Sequence, residues 1–193
     1  MFTQARLAPC TVDAMNYSAP PLDYSFRSLT AFSDALEEEP RPCLRSILRE
    51  GGDKKYKTNA VRLNNNALSN YNDFQETLEA LLVNPSHLSW LDLSFNNLTT
   101  IDKGILQFSE LKVFNLHGNG IEKLTDIDKL ASLQKLRSLT VHGNPVEDSK
   151  GYRQYIISKI PQLEKLDFSK ITKADRETAK TLLKFCSKNK NIA

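Results

Sequence analysis

The chain has 193 residues, 25% of them charged, with a formal net charge of +3 and no apolar run long enough for a membrane span. Its three cysteines, Cys10, Cys43 and Cys186, are odd in number and far apart. That usage excludes a disulfide framework and points to a reduced compartment. With no signal-like apolar segment at the start, these features predict a soluble intracellular protein of one domain.

Charge is unevenly distributed. Residues 1–40 carry two basic and six acidic groups, residues 41–62 seven and two, residues 63–149 six and eleven, and residues 150–193 eleven and four. An acidic middle argues against a nucleic-acid partner, which a basic stripe along that middle would attract.

Residues 1–57 read as an irregular N-terminal arm. They hold five of the eight prolines, the run Glu37-Glu38-Glu39 and the turn-like pair Gly51-Gly52. A short helix over Ser33 to Glu39 is expected, with Ser33 as N-cap and Pro40 ending it. Within the arm, Tyr24 and Phe26 stand at i and i+2 and would share one side of an extended segment. They either cap the apolar end of the following unit or dock on a partner. Capping is the stronger expectation, because an uncovered sheet edge invites aggregation.

From residue 58 the chain repeats itself. Leu88-x-x-Leu91-x-Leu93-x-x-Asn96-x-Leu98 recurs as Leu111-x-x-Phe114-x-Leu116-x-x-Asn119-x-Ile121 and Leu136-x-x-Leu139-x-Val141-x-x-Asn144-x-Val146. A fourth copy, Leu163-x-x-Leu166-x-Phe168, lacks the asparagine, and the starts lie 23, 25 and 27 residues apart. Val61-x-Leu63-x-x-Asn66-x-Leu68 is a degenerate earlier copy. This period and pattern specify leucine-rich repeats. The fold expected is an α/β solenoid: a short array with a parallel concave sheet, a helical and 3₁₀ convex side, and a C-terminal cap.

Positions 4 and 6 of each copy should face the core, with 3, 5 and 7 on the concave face. The asparagine should bond backbone groups where the chain leaves the strand. Asp73 to Val83 carries helical spacing, whereas Ile121 to Leu136 has apolar residues every third position, as in 3₁₀ turns. Tyr152, Tyr155, Ile156 and Ile160 form a stripe suited to closing the array within the repeat unit, residues 58–170. Residues 171–193 form a last helix and basic tail, with Ala179, Leu182, Leu183 and Cys186 inward and Lys188 to Lys190 fraying.

The run Gly143-Asn144-Pro145-Val146, Tyr152-Arg153-x-Tyr155-Ile156-Ile157, Ile160-Pro161-x-Leu163-x-x-Leu166-Asp167-Phe168 resembles the C-terminal cap of SDS22-like leucine-rich repeat proteins. That family includes a U2 small nuclear ribonucleoprotein subunit and an axonemal dynein light chain. Pro20-Pro21-Leu22-Asp23-Tyr24-Ser25-Phe26, Trp90-Leu91-Asp92-Leu93-Ser94-Phe95-Asn96 and Thr172-Lys173-Ala174-Asp175-Arg176 extend the resemblance over most of the chain, to a small intracellular branch without known catalysis. The resemblance implies a cytoplasmic interaction scaffold with a protein partner, its relatives pointing to the cilium axoneme. The alternative it implies is a ribonucleoprotein-associated adaptor.

The concave face is the expected binding surface. Position 3 supplies Ala60, Trp90, Val113, Ser138 and Lys165. Position 5 supplies Arg62, Asp92, Asn115, Thr140 and Asp167, and position 7 Asn64, Ser94, His117, His142 and Ser169. Arg62, Trp90, Asp92, Asn115, His117, Thr140, His142 and Asp167 are the candidate protein-binding residues. Trp90, the single tryptophan, is either a partner's anchor or covered by the arm. His117 and His142 fall on adjacent strands, yet Ser94 and Ser169 beside them are poor zinc ligands, so no metal is expected. The seven glycines form no phosphate-binding loop, and no serine, histidine and acid set can be placed. No cofactor, small-molecule substrate or catalysis is therefore expected. The basic groups Lys165, Lys170, Lys173, Arg176, Lys180, Lys184, Lys188 and Lys190 read as a solvated helix face, with an acidic partner as the sharper alternative.

Overall fold

Six strands run parallel because the same core motif recurs in the same register. The computed structural model describes residues 19–45, 47–50 and 55–189, the side chains of residues 50 and 182–189 excepted. Gly51-Gly52, Cys10, Cys186, Leu182, Leu183, Lys184, Lys188 and Lys190 therefore lie outside the described residues or side chains.

The concave sheet comprises β1 (Leu22–Asp23), β4 (Ala60–Arg62), β5 (Trp90–Asp92), β6 (Val113–Asn115), β7 (Ser138–Thr140), β8 (Lys165–Leu166) and β9 (Ser169–Lys170), in that order. All neighbours are parallel except β8 and β9. A separate hairpin joins β2 (Arg49–Glu50) and β3 (Lys55–Tyr56). Partners across the sheet, Leu22, Val61, Leu91, Phe114, Leu139 and Leu166, are all fully buried. Each repeat thus buries its apolar stripe only against its neighbours, the condition that makes a solenoid cooperative.

The arm is not irregular throughout. Leu22 pairs with Val61 and Asp23 with Arg62, so Leu22-x-Tyr24-x-x-Arg27-x-Leu29 is a further repeat with arginine where asparagine belongs. Asn66 supplies the missing bonds: its Oδ1 accepts from the backbone N–H of Arg27 and of Leu29. The helix expected at Ser33 to Glu39 is a 3₁₀ turn over Ser33–Leu36 that starts after Phe32. Phe32 meets Phe74 edge-on at 4.8 Å, and Asp73 accepts the Ser33 backbone N–H. The first convex helix, α1 (Phe74–Leu81), is thereby tied to the arm.

Asparagines run as a ladder through the turns. Asn96, Asn119 and Asn144 each donate to two strand-end carbonyls within 3.0 Å and accept one amide from the preceding repeat. The convex return between Ile121 and Leu136 is α2 (Leu124–Asp128) followed by a 3₁₀ turn over Lys129–Ser132.

The cap departs from the template at Phe168. Position 6 should be core, but Phe168 is 69% exposed. Asp167 and Phe168 both take left-handed backbone, and the chain reverses into antiparallel β9. The cause is local: no asparagine follows, and Asp167 Oδ1 instead accepts the Val141 and His142 amides. Arg153 on α3 (Tyr152–Lys159) holds the reversal through the Leu166 carbonyl and Ser169 Oγ. Arg153 also reaches Asp175 of α4 (Lys173–Asn189). Thr172 and Asp175 form a capping box there, and Asp175 is held down to about 2 by the Thr172 backbone and hydroxyl and by Arg153. No described helix is long and apolar enough to cross a membrane.

Candidate functional site

The concave floor is built of residues that satisfy one another. Trp90 is only 8% exposed, with the Arg62 guanidinium 5.5 Å above its ring, and Arg62 in turn meets Asp23 of the first strand at 3.4 Å. Trp90 is therefore no open anchor. Asp92 is buried and its Oδ1 accepts from the Ser94 amide and hydroxyl at 3.0 and 2.6 Å. Thr140, 1% exposed, donates to Asn115 Oδ1 at 3.3 Å and bonds His117 Nδ1 at 2.9 Å. Val113, Asn115 and Ser138 remain half-buried along the middle strands.

His117 and His142 stack face to face, ring centres 4.9 Å apart and planes within 6°. The spacing is that of adjacent strands. His142 Nδ1 lies 3.4 Å from Asp167 Oδ1, whose other oxygen accepts the Tyr152 hydroxyl at 2.9 Å. Burial holds His117 below the usual histidine range, against the pull of Asp92 and with the help of His142. Among the described residues no three His, Cys, Asp or Glu side chains are grouped to hold a metal ion.

Two exposed phenylalanines flank this pair. Phe95 is 52% exposed and meets His117 edge-on at 5.0 Å. Phe168 meets His117 and His142 at 5.5 and 5.4 Å. Neither was singled out as a site residue, although position 8 carried a signal. Its occupants are Phe26, Asn65, Phe95, Gly118 and Gly143, and all have positive φ. Glycine suits that backbone, whereas a bulky residue there costs about 1–2 kcal/mol. A Cβ on Gly118 would come within 2.6 Å of the Phe95 ring.

Tyr24 and Phe26 do not share a side. Tyr24 is buried, and burial raises its hydroxyl far above the usual tyrosine range. Phe26, at φ 57°, turns outward and is 64% exposed, with Arg41 over its ring. A cleft of about 210 Å³ between arm and hairpin is lined by Tyr24, Glu39, Arg49 and Tyr56. Its one guanidinium is already bonded to Glu39 and Tyr56. In the basic C-terminal region, Arg176 donates to the Pro161 and Leu163 carbonyls and Lys180 pairs with Glu177. Arg176 thus ties the last helix to the cap, whereas the exposed Lys180–Glu177 pair adds little to stability.

The leucine-rich repeat family profile matches residues 67–193. Leucine-rich repeat-containing protein 51 of Mus musculus is 47% identical over 182 residues, which cover 93% of this chain and 94% of the relative. The Homo sapiens protein of that name is 49% identical over 169 residues, covering 86% and 88%. Among solved structures, the crystal structure of the Drosophila melanogaster SNF/U2A' complex matches 72% of this chain and 76% of that one, with TM-score 0.54 and 27% identity.

Proposed function

The chain belongs to the leucine-rich repeat family, and from that premise we propose that it is a non-catalytic scaffold presenting its concave sheet to a protein partner in a ciliary, axonemal assembly. Repeats of this kind are interaction modules, and the concave sheet carries the proposal here. Asp92, Ser94, Thr140 and Asp167 are already bonded within the protein, so over these positions a partner meets a preformed surface and need not order it. Val113, Asn115, Ser138, His117 and His142 form the contact layer. Arg62, Trp90, Asp92, Thr140 and Asp167 hold that layer in place, and Phe26 adds a contact at the arm end. The axonemal setting rests on the likeness of the cap to SDS22-like proteins, and a cytoplasmic location goes with it.

The test is capture from ciliated-cell extract by the wild-type chain and by Val113→Glu and Ser138→Arg. Both positions are half-buried rather than core, so the variants should fold with unchanged thermal transitions. Loss of axonemal proteins from the captured set is expected, and an identical set for all three chains removes the concave assignment.

A second reading is favoured by one observation, the likeness to the structure of the SNF/U2A' complex. Under it the chain is a ribonucleoprotein-associated adaptor that acts through protein contact, its acidic repeats being unsuited to phosphate. Nuclear location and co-purification abolished by ribonuclease would replace the axonemal reading with this one.

A further inference from the structure

We infer that the rim formed by Phe95, His117, His142 and Phe168 is a subsite for an arginine guanidinium of the partner protein. This rests on the scaffold reading above and names the chemistry that one part of the surface would select.

The hydrogen-bond network decides the tautomers. Thr140 gives its hydroxyl proton to Asn115 Oδ1, so the same oxygen must accept from His117, which makes His117 Nδ1 the protonated nitrogen. His142 Nδ1 faces the Asp167 carboxylate, an acceptor only, so it too carries the proton. Both Nε2 atoms are then bare acceptors, and neither has a hydrogen-bond partner among the described residues. They sit on two parallel rings whose centres are 4.9 Å apart.

Such a pair asks for a ligand with several donors and no acceptor. Guanidinium has five N–H groups in a rigid plane and meets that demand, whereas an anion or a carbonyl does not. The charges agree. Among the described residues, the groups that act on the His117 ring are the Asp92 and Asp167 carboxylates, which favour a cation there, and His142. Asp92 and Asp167 accept from Ser94, Val141, His142 and Tyr152, which fixes both carboxyl groups beneath the rim. Phe95 and Phe168 add exposed rings beside the imidazoles, surfaces on which arginine stacks. Both take left-handed backbone while more than half exposed, so burial does not compensate the strain. Strained positions cluster at binding sites, and these two lie on either side of the histidine pair.

The experiment follows the side-chain nitrogens of His117 and His142 by long-range proton–nitrogen correlation in the full-length protein. At neutral pH both should show protonated Nδ1 and bare Nε2. Titration with Nα-acetyl-arginine amide should move both Nε2 resonances along a saturable curve. The citrulline analogue, of the same shape but uncharged, should not move them. Phe168→Leu should weaken the arginine response several-fold, and Thr140→Val should release the His117 tautomer and weaken it too. Protonated Nε2 at either histidine, an equal response to citrulline, or no saturable shift with arginine overturns the subsite. If partner capture still depends on Val113 and Ser138 while arginine has no effect, the subsite alone is lost. If arginine binds but those substitutions leave capture intact, the scaffold reading is lost instead.

Discussion

Asn66 accepts the backbone N–H groups of Arg27 and Leu29 on one oxygen, at 3.0 and 3.1 Å, and so brings a segment without the repeat's asparagine into the sheet. The same side chain donates to the Tyr24 and Leu63 carbonyls. One amide thus closes the apolar end of the solenoid.

Removing the closure should be costly at Tyr24 and cheap two residues on. Tyr24→Ala empties a fully buried site and should lower unfolding free energy by about 3 kcal/mol or more. Phe26→Ala removes an exposed ring and should change it by no more than about 0.5 kcal/mol. Urea denaturation of the two variants makes the comparison, and similar losses would show that the arm is not the cap.

The asparagine ladder predicts an asymmetry within one residue. Asn119→Ala strands the Leu98 amide in the core and removes one of two donors from the Leu93 and Leu116 carbonyls, which keep Asn96 and Asn144, at a cost of about 1–3 kcal/mol. Asn119→Asp keeps the acceptor for Leu98 but puts an ionised oxygen against two carbonyls, so it should be no better above pH 5. Chemical denaturation at pH 7 checks both variants; a stable alanine variant would mean that water replaces the ladder.

Gly118 and Phe95 should be coupled. Gly118→Ala places a methyl at φ 67° and 2.6 Å from the Phe95 ring, and should cost about 1–3 kcal/mol. Phe95→Gly alone relieves a left-handed phenylalanine and should leave stability level or raise it by up to about 1 kcal/mol. In the double variant Gly118→Ala should cost less, because the clashing ring is gone. A double-mutant cycle with no coupling energy would contradict the packing.

Acid should weaken the fold through His117. Its folded pKa is lowered from 6.5 by burial, so the unfolded chain takes up the proton first as pH falls. The contribution is complete above about pH 6.5 and is lost as pH drops from there through the folded value. Stability measured against pH should therefore fall less steeply for His117→Gln than for wild type between pH 7 and 5. Parallel curves would show that the imidazole is not shielded.

The repeats were legible because their signal is periodic. Leucine or another apolar residue at positions 1, 4, 6 and 11 faces the core in every copy from Leu88 to Val146, with asparagine at position 9. The first strand escaped the same reading because Tyr24 and Arg27 occupy positions where the pattern expects leucine and asparagine. Its identity became visible only through pairing with Val61 and Arg62. Phe168 failed in the opposite sense: it matched the pattern, but the chain had already reversed. Phe95 was missed for a related reason, although His117 and His142 beside it were read as concave-face positions. At position 8 the signal is glycine in two copies, which reports a backbone angle and not a contact.

From the sequence alone came the solenoid, its parallel concave sheet and the rows that line its concave face, because alternation along a strand needs only the one-dimensional order of residues. The tertiary structure decided which members of those rows are available. Trp90 and Thr140 are taken up by neighbours from other repeats and Asp92 by Ser94 of its own, while Phe95 and Phe168, outside those rows, stay more than half exposed beside the histidine pair. The physical reason is that burial and hydrogen-bond saturation on the concave face are set between strands 20 or more residues apart. Only the register stacks two histidine rings 4.9 Å apart above Thr140 and Asp167, an arrangement that no single repeat contains.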